Sequence, residues 1–180
     1  MQKVALLLAE GFETVEALTV VDVLRRAGVG ITMVSTMDSR KVLSGQQILI
    51  HADLHFNDVN FDEYEWLVIP GGLPAVKRLA EDQRVLELVK DFALNKHVAA
   101  ICAGPSILNE LSLIQNIKFT CYPNTIEGEA EKNNQYSNVC QDKNIITAKS
   151  MPHSLEFALC LLEQLADEQT VERVKNSLYL

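Results

Sequence analysis

Cys102 has the sequence context that most favours chemistry. It ends an apolar run that predicts a buried strand over 98–102, and Ala103, Gly104 and Pro105 predict a tight bend into a helix. The thiol would then face the unpaired N–H groups of that helix, which favour an anion. A thiol with a pKa of ~8.5 is only about 3% ionised at pH 7, whereas a pKa near ~5.5 makes it almost wholly thiolate. The sequence therefore predicts a nucleophile, the alternative being a small buried hydrophobe.

The second candidate feature is a pair of acidic residues, Glu13 and Glu16, at the start of a helix predicted over 13–27. Each lies four residues before an apolar residue of the helical stripe, so both carboxyls are predicted to face inward. The carboxyl ends of parallel strands meet in one crevice, which would bring these acids to Cys102. A carboxyl in a dry crevice has a raised pKa and can donate a hydrogen bond or move a proton. The alternative is that the acids complement the helix dipole.

Gly71 and Gly72 follow a third apolar run, residues 66–69, and their backbone N–H groups could bind an oxyanion. Pro-Gly-Gly is also ordinary turn chemistry, so this signal is weak alone. No nucleotide phosphate loop is present, and the four cysteines are too widely spaced to indicate a zinc site or a disulfide framework. We therefore expect neither a metal nor a cofactor.

The composition of the chain is that of an ordinary soluble domain, with 180 residues of which 48% are hydrophobic. Its 24 acidic and 16 basic residues give a formal charge of -8, which disfavours nucleic acids and anionic membrane surfaces as partners. No apolar run has the length of a membrane span or the form of a secretory signal. Reduced thiols and these features together predict a cytoplasmic protein.

Short aliphatic runs alternate with segments of helical period, which predicts an α/β fold with a mostly parallel central sheet between helices. We expect a single domain over residues 1–180. Strands are predicted at 4–8, 29–35, 66–69, 98–102 and 145–148, helices at 13–27, 81–95, 104–112, 153–165 and 168–178, and a hairpin or irregular edge within 40–51.

Three segments together, 9–16 (AEGFETVE), 68–72 (VIPGG) and 100–105 (AICAGP), closely resemble the ThiJ/PfpI superfamily. The nearest branch is that of the parkinsonism-associated deglycase, DJ-one, and the resemblance extends from Lys3 to about Leu165. It implies a flavodoxin-like three-layer sandwich, related to the class I glutamine amidotransferase domain, that forms a homodimer. It also implies that Cys102 is the reactive cysteine.

The same resemblance implies further site residues and shows departures from the family pattern. Glu16 would be the protonated partner of the cysteine, and Gly71, Gly72 and Ala103 would surround the substrate oxygen. Ala103 stands where peptidase-like members carry His, so protease activity is disfavoured. Tyr122 replaces a His, and a phenol is a poor base at neutral pH. Residues 149–153 replace an Arg-Gly-Pro-Gly segment; His153 there could approach the cysteine or cap a helix in solvent.

Two functions of different classes follow from this reading. The first is a cofactor-independent glyoxalase or deglycase, a hydrolase or lyase acting on 2-oxoaldehydes such as methylglyoxal or on their early adducts. The second is a redox sensor or chaperone that uses oxidation of Cys102. A glutamine amidotransferase ranks last, because His153 and Glu156 do not have the spacing of its His-x-Glu pair.

Overall fold

The computed structural model of this protein describes residues 2–180 and shows a sheet between two layers of helices. In those residues the strands are β1 (Lys3–Leu8), β2 (Gly30–Ser35), β3 (Lys41–Leu43), β4 (Leu49–His51), β5 (Leu54–His55), β6 (Trp66–Ile69), β7 (His97–Ile101), β8 (Val139–Asp142) and β9 (Ile145–Ala148). The α-helices are α1 (Thr14–Ala27), α2 (Leu73–Glu81), α3 (Gln83–Asn95), α4 (Pro105–Glu110), α5 (Ser154–Leu165) and α6 (Glu168–Ser177).

The central sheet has seven strands in the order β5-β2-β1-β6-β7-β9-β8. Its pairs are parallel except at one edge, where β8 runs antiparallel to β9. The chain moves outward in opposite directions from β1 and β6, and such a reversal of strand order opens a crevice at the carboxyl ends of the strands. The predicted flavodoxin-like α/β class is confirmed.

Both faces of the sheet are covered, which explains why its central strands β1 and β6 are apolar along almost their whole length. Helices α1, α5 and α6 contact one another on one side, and α2, α3 and α4 contact one another on the other. Leu6, Leu7 and Leu8 of β1 have no exposed surface. Burying each such side chain stabilises the fold by about 1.5–3 kcal/mol.

The sequence located most elements but missed three, which are α2, the two-residue strand β5 and the edge strand β8. The predicted hairpin within 40–51 is the antiparallel pair β3–β4, and the predicted last helix is α6, which packs against α1 and α5. Helix α2 was not predicted, because only the helix after it shows a clear apolar period. Asp82 separates the two helices by accepting the N–H of Arg84 at 3.0 Å. The edge strand β8 was also missed, since it is short and only partly buried.

The loops that follow four of the parallel strands lie at the same edge of the sheet. The loops after β1, β6, β7 and β9 lead into α1, α2, α4 and α5 respectively. The β3–β4 hairpin joins this edge from the side: Gly11 donates its N–H to Leu43 at 2.8 Å, and Gly45 donates to Phe12 at 2.9 Å. Residues far apart in the sequence therefore meet around one crevice.

Candidate active site

Cys102 sits directly after β7 at a strained bend of the backbone. Its φ angle is 63°, in the left-handed region that non-glycine residues seldom adopt. Such a conformation costs of order 1–3 kcal/mol and persists only where its surroundings fix it. Here the Cys102 N–H donates to Ala148 at 2.9 Å, and its carbonyl accepts the N–H of Tyr122 at 2.8 Å. The predicted strand-to-helix bend is present, and the strain at Cys102 itself is an addition that the sequence did not reveal.

Glu16 lies in the first turn of α1 and is only 1% exposed, as predicted for an inward-facing acid. Its Oε2 accepts the backbone N–H of Gly71 at 2.8 Å. Within residues 2–180, its Oε1 is the buried side-chain oxygen that lacks a partner in hydrogen-bond geometry. Burial raises the pKa of Glu16 to about 7, and the charge of Glu13 adds to this effect. The carboxyl can therefore hold or release a proton near neutral pH.

Gly71 is the point at which Glu16 and Cys102 meet. A Cβ added to Gly71 would lie 2.6 Å from the Cys102 Cβ and 3.1 Å from its Sγ, and would overlap with the Glu16 carboxyl. The structure therefore brings together two side chains that lie more than eighty positions apart, as the strand topology predicts. Only a residue without a side chain fits between them.

The pKa of the Cys102 thiol moves in the direction opposite to the sequence-based prediction. Burial, followed by the charge of the Glu16 carboxylate, raises the pKa of Cys102 to about 12. The N–H groups of Ala103 and Gly72 lower this pKa, as expected for a helix start, but by less. The predicted low pKa of Cys102 is wrong. The prediction took account of the N–H groups that stabilise the thiolate, but not of the cost of removing the thiolate from water.

Glu16 and Cys102 are adjacent and titrate as a pair, so a single remaining proton can reside on either group. With the proton on Glu16, the sulfur is a thiolate that faces the N–H groups of Ala103 and Gly72. The negative charge of the carboxylate, which opposes ionisation of the thiol, is absent in that form. The arrangement thus offers a nucleophile together with an acid of nearly neutral pKa.

Glu13 is held at the rim of the site by the hairpin rather than buried like Glu16. It is the N-cap of α1, accepting the N–H of Val15 at 3.4 Å, and it also accepts a hydrogen bond from Gln46 at 2.6 Å. The oxygen of the Gln46 amide accepts from both the N–H and the hydroxyl of Thr14, at 3.1 and 2.7 Å. Glu13 therefore both caps the helix and faces the site.

Gly72 brings its backbone close to the loop that follows β1. Its φ angle is 92°, and an added Cβ would lie 2.8 Å from the Glu13 nitrogen and 2.9 Å from the Phe12 carbonyl carbon. Glu13 in turn donates its N–H to the carbonyl of Gly71 at 3.0 Å. This close approach of two loops directs the Gly72 N–H towards the sulfur, where an oxyanion could also be bound.

The site opens into a cavity of about 460 Å³. Its lining includes five of the predicted residues, Glu13, Glu16, Gly72, Cys102 and Tyr122. The other lining residues, which are Leu73, Ser150, Met151 and Pro152, were not among the predicted site residues.

The remaining predicted residues lie around this cavity without lining it. Gly71 and Ala103 lie next to Cys102 but outside the cavity lining, and Ala103 is buried. His153 is half-buried on the short 3-10 turn Met151–His153 at the start of α5, and the structure does not bring it into the lining. The segment 149–153, where the sequence departs from the family pattern, supplies three of the lining residues, whereas nothing in the sequence distinguishes Leu73 from a core leucine.

Two further observations concern metals and membranes. Among residues 2–180, no three His, Cys, Asp or Glu side chains come together in an arrangement that could hold a metal ion. In the same part of the chain, none of the helices combines the length and the apolar composition that a bilayer span requires.

Comparison with known proteins identifies the class to which this fold and site belong. Residues 2–164 match the sequence profile of the DJ-1/PfpI family, and the chain is a member of that family. The Parkinson disease protein 7 homolog of Danio rerio is 31% identical over 185 residues, covering 99% of this chain and 97% of the relative. Protein dj-1beta of Drosophila melanogaster is 31% identical over 183 residues, with the same coverage of 99% and 97%.

Solved structures give the same result. Oxidized Toxoplasma gondii DJ-1 superposes with a TM-score of 0.91 at 28% identity, covering 99% of this chain and 98% of that one. Drosophila melanogaster DJ-1beta superposes with a TM-score of 0.90 at 31% identity, covering 100% and 99%. The chain spans only 36% of the Arabidopsis thaliana relative, DJ-1 homolog B, to which it is 30% identical over 159 residues.

Proposed function

We propose that this protein is a cofactor-independent glyoxalase or deglycase acting on 2-oxoaldehydes such as methylglyoxal, or on their early adducts. The observation that carries the proposal is the meeting of the Cys102 sulfur and the buried Glu16 carboxyl in one open cavity. A thiol nucleophile, an acid with a pKa near 7 and two backbone N–H groups are what this chemistry requires. Membership of the DJ-1/PfpI family supports it.

In the first step, the Cys102 thiolate adds to the aldehyde carbon. A sulfur–carbon bond forms, and the carbonyl electron pair moves to the oxygen, which the N–H groups of Gly72 and Ala103 stabilise. The proton held by Glu16 then neutralises this oxyanion. The product is a hemithioacetal, with Glu16 left as a carboxylate.

In the second step, Glu16 moves a proton between adjacent carbons of the adduct. The carboxylate removes the proton from the former aldehyde carbon, which gives an enediolate with its negative charge on the neighbouring oxygen. Glu16 then returns this proton to the neighbouring carbon, while the hemithioacetal hydroxyl proton moves to the neighbouring oxygen and leaves a carbonyl at the former aldehyde carbon. The result is a thioester of a 2-hydroxy acid on Cys102. This internal rearrangement needs no external oxidant or reductant.

In the last step, Glu16 takes a proton from the water molecule that attacks the thioester carbonyl, and the carbon–sulfur bond breaks. Cys102 leaves as the thiolate, and the 2-hydroxy acid is released. Methylglyoxal and one water molecule thus become lactic acid, and the Glu16–Cys102 pair returns to its starting state.

Lactate formation from methylglyoxal by the purified protein tests the proposal. Cys102→Ser removes the nucleophile, so we expect at least a hundredfold loss of kcat/KM. Cys140→Ser is the matched control, because Cys140 is half-buried on β8 and does not line the cavity. Equal rates in the wild-type protein and in Cys102→Ser would overturn the mechanism.

A redox sensor or chaperone is the second candidate function. Cys102 lines the open cavity whereas Cys121 is buried, so a peroxide in solution has direct access to the former. Peroxide titration followed by peptide mass measurement tests this function. It requires that Cys102 be oxidised before Cys121, Cys140 and Cys160, and simultaneous oxidation of all four would exclude it.

We further propose a cytoplasmic homodimer. The four free cysteines fit a reducing compartment. Val15, Ile48 and Leu49 are exposed apolar residues on α1 and on the hairpin next to it, a surface that a second copy could cover. Sedimentation velocity at micromolar concentration measures the mass directly, and a single 20.1 kDa species would contradict the dimer.

A further inference from the structure

The mouth of the Cys102 cavity carries three large, exposed side chains that are apolar or aromatic. Leu73, Tyr122 and Met151 line it, and they are 63%, 44% and 45% exposed. They come from three separate segments, which are the start of α2, the loop after α4 and the 3-10 turn after β9, so their proximity is a property of the tertiary fold. An apolar rim around a reactive sulfur provides a contact surface for the non-reacting part of a substrate.

The charges of the cavity are of one sign. Its ionisable carboxyls are Glu13 and Glu16, and among residues 2–180 its lining contains no lysine, arginine or histidine. The basic residues nearest along the chain, Lys149 and His153, flank the lining segment 150–152 but do not belong to it. The cavity therefore has no side-chain cation to bind an anionic substrate group.

Glu13 is fixed at this rim. Its two oxygens accept from the Val15 N–H and from the Gln46 amide, and Gln46 is itself tied to Thr14. The carboxylate therefore cannot swing away when a ligand enters without losing these hydrogen bonds. A second negative charge within about 8 Å of it would be disfavoured roughly tenfold or more.

We propose that this cavity selects uncharged electrophiles that carry an apolar or aromatic substituent and excludes anionic ones. Glu13 sets the selectivity for charge, while Leu73 and Met151 contact the substituent. For substrates, the inference rests on the function proposed above. It predicts that arylglyoxals are better substrates than 2-oxoaldehydes that carry a carboxylate. As a statement about access to the sulfur it stands independently of turnover.

Alkylation of Cys102 tests the charge selectivity without any catalysis. Iodoacetamide and iodoacetate both form a sulfur–carbon bond with loss of iodide, and they differ in one negative charge. Rates at Cys102 are followed by peptide mass mapping and compared with those of 2-mercaptoethanol at the same pH. We expect the ratio of the iodoacetamide rate to the iodoacetate rate to be at least tenfold larger for Cys102 than for 2-mercaptoethanol. An equal preference would overturn the inference.

Substitution of Glu13 then assigns the selectivity to a residue. Glu13→Gln keeps an oxygen that can accept the Val15 N–H, so α1 retains its cap while the charge is removed. We expect the preference for iodoacetamide to fall about fivefold. Glu10→Gln, a matched change at an exposed residue outside the cavity, should leave the preference unchanged. The same fall in both variants would mean that net charge, rather than Glu13, controls access.

Turnover of a matched substrate pair tests the apolar contact. Phenylglyoxal and 4-carboxyphenylglyoxal undergo the same reaction, and we expect kcat/KM to favour the first at least tenfold. Leu73→Ser should lower kcat/KM for phenylglyoxal about fivefold, and should lower it more than kcat/KM for methylglyoxal, because a methyl group offers less apolar surface than a phenyl ring. Leu94→Ser is the control, because Leu94 is also 63% exposed but lies on α3 away from the cavity.

The outcomes separate the inference from the function on which it rests. Charge-selective alkylation without turnover of any 2-oxoaldehyde supports the inference about access and overturns the proposed function. Turnover of both arylglyoxals at similar rates supports the function and overturns the inference. Equal losses in Leu73→Ser and Leu94→Ser would overturn the role of Leu73.

Discussion

The backbone N–H of Gly71 donates to Oε2 of Glu16 at 2.8 Å, and this bond distinguishes the two oxygens of the buried carboxyl. Because Oε2 already accepts a hydrogen bond, the partnerless Oε1 is the oxygen that carries the proton when the acid is neutral. A neutral Glu16 can then donate to the adjacent sulfur of Cys102. The loop after β6 thereby orients an acid on α1 for a nucleophile that follows β7.

Glu16→Gln should change how stability depends on pH. The pKa of Glu16 is 4.5 when unperturbed and about 7 in the fold, so between these values the folded protein binds more protons than the unfolded chain. The free energy of unfolding therefore falls as the pH rises from about 4.5 to 7, by about 3 kcal/mol. Glu16→Gln, which cannot ionise, should lose this decrease.

Urea denaturation at pH 5 and pH 8 measures this effect, with Glu10→Gln as the control at an exposed carboxyl. The raised pKa of Cys102 acts above pH 8 and does not enter the comparison. Identical pH dependence in wild-type protein and in Glu16→Gln would show that Glu16 is not the buried acid described here.

Gly71→Ala should disrupt the site more than it disrupts the fold. The added methyl group would overlap with the Glu16 carboxyl and lie 2.6 Å from the Cys102 Cβ, so one of the two side chains must move. Overpacking of this kind costs about 1–3 kcal/mol. We expect a loss of kcat/KM of at least tenfold together with a measurable fall in Tm.

Gly30→Ala provides the comparison for this substitution, because a Cβ at Gly30 meets only the Lys3 side chain, at 3.9 Å. It should retain both activity and Tm. If Gly71→Ala behaved in the same way as Gly30→Ala, the contact between Glu16 and Cys102 would not matter for turnover.

The meeting of Cys102 with Glu16 could be predicted from the sequence because it depends on topology alone. Parallel strands end at one edge of the sheet, so the start of α1, which follows β1, and Cys102, which follows β7, lie at the same crevice. The direction of the Cys102 pKa could not be predicted, because desolvation depends on how completely neighbouring loops cover the sulfur. The sequence predicted that a helix starts just after Cys102, but it did not show which loops cover the sulfur.

The rim of the cavity could not be predicted for a related reason. Leu73 and Met151 lie in segments with no apolar period, and an isolated leucine in a sequence is usually part of a core. Their exposure at the cavity mouth results from the position of α2, which the sequence analysis missed, and from the 3-10 turn before α5. Local sequence patterns pointed to the candidate reactive groups Cys102 and Glu16, and the assembled loops determine which residues surround them.

Gln46→Ala should loosen the start of α1 and the rim of the site. The side chain accepts from Thr14 twice and donates to Glu13, all at 2.6–3.1 Å. Net contributions of such partly exposed hydrogen bonds are about 1 kcal/mol, so we expect the free energy of unfolding to fall by about 1–2 kcal/mol. The preference of Cys102 for iodoacetamide should also decrease, because Glu13 is freed.

Gln47→Ala is the natural control for this effect. Gln47 is the next residue in the hairpin turn, and within residues 2–180 only its backbone takes part in a hydrogen bond. Equal stability of the two variants in urea would argue that the hairpin does not hold α1 through Gln46.

Tyr122→Phe and Tyr122→Ala together decide whether Tyr122 acts through its hydroxyl or through its ring. Its N–H donates to the Cys102 carbonyl in either variant, and among the described residues its phenol oxygen has no hydrogen-bond partner. We therefore expect Tyr122→Phe to change kcat/KM less than about threefold. Tyr122→Ala removes the ring from the rim and should lower kcat/KM for phenylglyoxal about fivefold or more. A large loss in Tyr122→Phe, accompanied by a change in the pH profile, would instead assign proton transfer to the phenol.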